Sequence, residues 1–154
     1  MAAISAHCAD MDLTTLGWCP HFADALAALN RPEWVPGRVV SEDKHAVTVV
    51  GADGDTTGVI PGRLLHRIVS HAELPKVGDW VAMTPLLGER KAIIQAGLPR
   101  RSKLARKTTG REAEEQVVAA NLDTVFVVQA LDQTFNLRRL ERFLVMVHEG
   151  GARP

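Results

Sequence analysis

The sequence contains no tyrosine, only three tryptophans and only four phenylalanines. Aromatic platforms for unstacked bases are therefore scarce, and packing has first use of those present, which disfavours base-stacking recognition of single strands. Cys8 and Cys19 are the only cysteines, and their spacing fits no zinc-ligand pattern. Residues 1–12 carry Asp10 and Asp12 but no Lys or Arg, unlike a secretory leader, so reduced thiols and a cytoplasmic setting are expected. No apolar run approaches the roughly 20 residues that span a bilayer, so no membrane role is expected. Eighteen basic residues balance eighteen acidic ones, which removes overall charge as an argument for nucleic acid.

Nucleotide chemistry also lacks its main signature. A phosphate-binding loop needs Gly-x-x-x-x-Gly-Lys-Ser/Thr, so that successive backbone N–H groups wrap the phosphates. Lys107-Thr108 supplies the last two letters without the glycines. Asp55-Thr56-Thr57-Gly58 matches a loose Asp-x-x-Gly switch pattern but follows a turn signal within a strand region. His7, His21, His66, His71 and His148 are scattered. Glu112, Glu114 and Glu115 have no accompanying nucleophile. No catalytic, cofactor-binding or metal-binding residue is assigned.

What is present is an uneven distribution of charge. Eight of the eighteen Lys and Arg fall between Arg90 and Arg111, a window without Asp or Glu. Arg100, Arg101, Lys103, Arg106, Lys107 and Arg111 form a local cationic block able to neutralise several phosphates. An acidic stretch follows, then the apolar run Val117 to Val128, which reads as a connector leading into a buried sheet.

Around that block the chain divides into four parts. Residues 1–33 are an N-terminal arm that gains order by docking, plus a short helix with Phe22, Leu26 and Leu29 on one face. Residues 34–97 carry five strand signals: Trp34 to Val40, His45 to Val50, a strand ending at Val59-Ile60, Trp80 to Met83, and Lys91 to Gln95. A non-strand insert separates the third from the fourth. Asp53-Gly54-Asp55 marks a hairpin turn. Trp34 and Trp80 open strands and are expected to pack in the barrel. The pattern is mainly β and fits a five-stranded OB or SH3-like barrel, between which periodicity does not choose. Residues 98–122 are the basic connector. Residues 123–154 are a strand with a core Phe126, then a helix capped by Asn136 with Leu137, Leu140, Leu144 and Val147 on one stripe. That is the opening βα piece of an α/β domain, after which a second parallel strand is expected.

The wording Arg-Arg-Ser (100–102), Arg106-Lys107, Glu114-Glu115-Gln116, Ala120-Asn121-Leu122-Asp123 and Phe135-Asn-Leu-Arg-Arg-Leu-Glu-Arg142 resembles the ribosome-small-subunit-dependent GTPases of RsgA/YjeQ type. Pro36-Gly37-Arg38-Val39, Val77-Gly78-Asp79-Trp80-Val81 and Leu13-Thr-Thr-Leu-Gly-Trp18 extend the resemblance. It implies an OB barrel followed by a circularly permuted GTPase domain, of which this chain is a truncated N-terminal portion. It further implies docking on 16S rRNA of the small subunit, through the basic block and through the loop between the first two strands. In that loop the charges of Lys44 and His45 make them the expected contacts, and Arg38 on the first strand is expected on the same face. GTP, Mg²⁺ and Zn²⁺ are implied only for the intact family, and this chain is expected to be inactive as an enzyme. Two other readings stand beside this one: a generic OB-type nucleic-acid binder, and a structural or protein-interaction domain.

Overall fold

The computed structural model describes residues 11–43, 46–66, 68, 70–107, 115–132 and 135–154. Five short β-rich runs build a closed barrel: β1 (Val35–Glu42), β2 (Ala46–Gly51), β3 (Gly54–Val59), β4 (Trp80–Pro85) and β5 (Lys91–Gly97). Around the barrel the order is β1-β2-β3-β5-β4, and β4 returns to β1 to close it. The β3–β5 pair is parallel and the others antiparallel. The parallel pair requires a crossover, supplied by the non-strand insert containing α2 (Gly62–Leu65) and a 3₁₀ turn at His71–Glu73. The β2–β3 hairpin turns where Gly54 takes φ 90°, a conformation glycine adopts without steric cost.

Inside the barrel, Val39, Val47, Val49, Val81, Met83, Ala92 and Ile94 form one apolar cluster, with Ile60 and Leu64 packed against it. β4 is buried on both faces. Its alternate residues Trp80 and Ala82 point away from that cluster into a second one with Phe22 and Leu98, joined by Leu13, Leu16, Trp18, Leu26, Leu29 and Trp34. Trp34 thus belongs to the outer layer, with the Arg31 guanidinium 5.8 Å from its ring centre. This layer is the N-terminal arm docked on the barrel. Asp12 caps a 3₁₀ turn (Leu13–Leu16) through the Thr14 amide at 2.9 Å, and Pro20 opens α1 (Pro20–Ala27). Trp18 meets Trp80 edge-on at 4.7 Å. Trp80 is fully buried, and a buried large side chain of this kind contributes roughly 1.5–3 kcal/mol through the hydrophobic effect.

Beyond the barrel the structure differs from the expected solvated connector. β6 (Lys103–Lys107) and β7 (Glu115–Ala120) pair antiparallel as a separate two-stranded sheet. The apolar run does not continue as one strand. Asn121, at φ 54°, turns the chain at the end of β7.

Val125 to Val128, expected as a covered strand, has no ladder among the described residues. Its neighbourhood holds one parallel bridge, Thr124 to Arg153, made by Val125 N–H to the Arg153 carbonyl (2.8 Å) and Arg153 N–H to the Asp123 carbonyl (3.0 Å). Phe126, expected in the core, is 87% exposed. The physical reason is that a strand is fixed by hydrogen-bonded neighbours, and apolar composition alone supplies none. The helix α3 (Leu137–Glu149) forms as expected, with the Asn136 side chain accepting from the Arg139 amide at 3.0 Å. No described helix is long and apolar enough to cross a membrane.

Candidate nucleic-acid interface

The base of the basic block is fastened to the barrel by a dense polar joint. Asn121 lies at its centre. Its Oδ1 accepts from the Arg101 amide (2.9 Å) and its Nδ2 donates to the Gly78 carbonyl (2.9 Å). Its own amide donates to the Ser102 carbonyl (2.8 Å), and its carbonyl accepts from Arg38 (3.2 Å). The left-handed backbone, which Asn tolerates better than most residues, aims all of these groups at once. Ser102 Oγ closes the turn on the Leu122 carbonyl (2.6 Å), and the Ala120 amide donates to Val77 (2.9 Å). Gly78 sits at φ 91°, and a Cβ there would overlap the Ala120 carbonyl. The close approach therefore requires glycine.

The nine basic residues singled out from the sequence fall into three groups. Two face inward. Arg38 donates to the carbonyls of Leu16 and Asn121 and lies 6.0 Å from the Trp80 ring centre. Burial pulls its guanidinium below the usual range, against the opposing influence of Asp123. Arg100 grips Asp79 with two hydrogen bonds, Nε to Oδ1 at 2.8 Å and an Nη to Oδ2 at 2.6 Å, and also donates to the carbonyls of Ala72 and Leu74. Four of its five N–H donors are thereby used. The Asp79 side chain is 5% exposed, so the pair is a structural brace and not an open cation.

Four point outward. Arg101 is exposed, 3.9 Å from Asp123. Lys103 pairs with Glu115 across the hairpin at 2.8 Å, and both side chains are substantially exposed. Arg106 donates to Gln116 at 2.9 Å, and Lys107 is exposed at the end of β6. Such surface pairs are weak, on the order of 1 kcal/mol or less, so Glu115 holds Lys103 only loosely. Lys44, His45 and Arg111 lie outside the described residues. Glu42, at the base of the β1–β2 turn, is bound back to the barrel through Lys76 Nζ (2.7 Å) and the Val77 amide (3.3 Å).

Sequence reasoning missed Asp79 and Asn121 as the groups that organise this region. The signal was there in Val77-Gly78-Asp79-Trp80 and Ala120-Asn121-Leu122-Asp123, where a turn-favouring glycine or asparagine stands at a strand end. A cleft of about 820 Å³ opens beside the joint, lined among others by Leu64, Gln95, Leu98, Arg100, Lys103 and Gly150. Among the described residues no group of three or more His, Cys, Asp or Glu is arranged to hold a metal ion.

The model of the RsgA GTPase family matches residues 97–154. A small ribosomal subunit biogenesis GTPase RsgA from Opitutus terrae is 41% identical over 156 residues, which cover 94% of this chain and 41% of that protein. The protein of the same description from Streptomyces coelicolor is 36% identical over 158 residues, covering 100% of this chain and 41% of the relative. The chain thus spans about two fifths of the length of these relatives. Among solved structures, YjeQ from Thermotoga maritima superposes with a TM-score of 0.53 at 25% identity, over 77% of this chain and 38% of that one. YloQ, described as a circularly permuted GTPase, superposes with a TM-score of 0.52 at 22% identity, over 80% and 39%, and supports the fold alone.

Proposed function

Taking as premise that the chain is RsgA-like over nearly its whole length, we propose that it is the small-subunit-docking region of a ribosome-biogenesis GTPase. In this reading the barrel is of OB type, the partner is 16S rRNA of the small ribosomal subunit, and the setting is the cytoplasm. GTP hydrolysis and its Mg²⁺ belong to the part of the longer relatives that this chain does not span. These 154 residues contain no Gly-x-x-x-x-Gly-Lys-Ser/Thr loop, so no GTP turnover is expected of them alone.

One observation carries the proposal. The outward cations Arg101, Lys103, Arg106 and Lys107 stand on a hairpin whose base is hydrogen-bonded to the barrel through Asn121 and braced by Arg100 and Asp79. A positive surface held in fixed geometry suits the phosphate backbone of folded RNA. The inward Arg38 and Arg100 hold that geometry and are not themselves assigned to the RNA. Recognition by base stacking on tryptophan is disfavoured because Trp80 is fully buried and Trp34 is packed in the outer layer.

The test is co-sedimentation with purified small ribosomal subunits at low and moderate salt. Wild type should pellet, with a binding constant that falls steeply as salt rises. Arg101→Glu/Arg106→Glu/Lys107→Glu should stay in the supernatant while keeping the wild-type circular dichroism spectrum. Undiminished pelleting of that variant sinks the proposal, and equal affinity for poly-U replaces it with a generic single-strand binder.

A further inference from the structure

The side chains of the Arg-Arg-Leu-Glu-Arg motif at 138–142 have no role in the RNA contact proposed above. α3 packs inward through Leu140, Phe143, Leu144 and Val147, the last of these 1% exposed. At roughly 100° per residue, Arg138, Arg142 and Val145 lie about half a turn around the helix from that stripe, and all three are exposed. Charge pairing along the helix does not account for the two arginines. Four residues apart, they repel one another. Arg138 also stands in the first turn, where the macrodipole favours acidic groups, and that turn contains no acidic side chain.

Their neighbours do not neutralise them. Arg139 is turned toward Phe143, 5.7 Å from its ring centre. Glu141 lies on the flank and Glu149 at the far end of α3. No ion pair or hydrogen bond engages the Arg138 or Arg142 side chain among the described residues. The opposite end of α3 is tied to the basic hairpin, where the Lys103 amide donates to the Gly150 carbonyl at 2.9 Å. The arginine pair therefore lies within one helix length, about 20 Å, of the hairpin surface.

We propose that Arg138 and Arg142 are a second contact for the phosphate backbone of structured RNA, on the outward face of α3 and separate from the hairpin contact. The inference rests on the RNA-docking reading and extends it to another surface. Two guanidinium forks suit phosphate oxygens in geometry and charge. The exposed Val145 and the half-buried Met146 flank the pair, and the contact assigned to the two arginines is neutralisation of phosphates, which its salt slope reads.

The experiment measures binding of this chain to purified small ribosomal subunits across a salt series. Its variants are Arg138→Ala/Arg142→Ala, Arg138→Lys/Arg142→Lys and the hairpin variant Arg106→Ala/Lys107→Ala. Alanine favours helix, so the first variant keeps α3, which circular dichroism verifies. Its affinity should fall about tenfold at low salt, and the slope of log binding constant against log salt should drop by about 1.5. The lysine variant should recover most of both. If the hairpin variant weakens and the α3 variant binds as wild type, the inference is overturned while the docking reading stands. If wild type shows no salt-dependent binding, both fail together. A loss that lysine does not restore, with the salt slope unchanged, also overturns the inference, because it points to packing and not to charge.

Discussion

Two apolar runs of similar composition meet opposite fates in this molecule. Trp80-Val81-Ala82-Met83 in β4 is at most 4% exposed, whereas in Val125-Phe126-Val127-Val128 the two outward residues are 87% and 89% exposed. Hydrophobicity does not separate them. β4 has a hydrogen-bonded strand on each side, β1 and β5, an apolar cluster on each face and a docked N-terminal arm. The later run has one bridge at its start and α3 nearby. Burial of a strand is a property of its neighbours, and a run of valines reports only the capacity for it.

The sharpest way to stress this contrast is Trp80→Ala, which removes the side chain shared by the barrel and the arm. It should cost about 3–5 kcal/mol, read as a lowered urea midpoint, and should loosen residues 11–34 in hydrogen exchange. Asp79→Ala leaves Arg100 half-buried without its carboxylate. The expected loss is about 3 kcal/mol, and a midpoint shift equal to that of an exposed pair such as Glu89→Ala would refute the brace. Asn121→Ala removes two side-chain hydrogen bonds from a left-handed residue. About 2 kcal/mol is expected, together with faster exchange of the Arg101 amide. At the other extreme, Phe126→Ser/Val128→Ser should leave the stability of this chain within about 0.5 kcal/mol; a large loss would mean that the run is covered after all.

The smallest effect concerns pH. The Thr14 amide, followed by its hydroxyl, holds the Asp12 carboxyl below the usual carboxylate range. A carboxyl lowered on folding stabilises the turn above its unfolded value, near pH 4, and loses that contribution as pH falls through the folded value. The Thr14 amide resonance should therefore titrate on the acid side in wild type and stay flat in Asp12→Asn.

The barrel strands and α3 were readable because their periodicity and breakers act locally: glycine at the β2–β3 turn, proline opening α1, asparagine capping α3. The crossover position of the non-strand insert was legible for the same reason. The hairpin of β6 and β7 was obscured because charge, which marks a solvated segment, also decorates a strand exposed on one face. The inward turn of Arg38 and Arg100 depends on partners 83 and 21 residues away in sequence, and no local pattern encodes that distance. Charge density shows where cations gather along the chain but not which of them face solvent.

The joint at Asn121 also bears on how the molecule can be divided. Ending a barrel at Gly97, where the strand signals stop, would remove Leu98 from the outer cluster, Arg100 from Asp79 and the Ala120 amide from Val77. It would also remove the Ala120 carbonyl against which Gly78 packs. A piece running through Asp123 keeps these contacts and gives up only those to the C-terminal segment, such as the Lys103 amide on the Gly150 carbonyl, so anyone transplanting the barrel or labelling it for microscopy should carry the hairpin along.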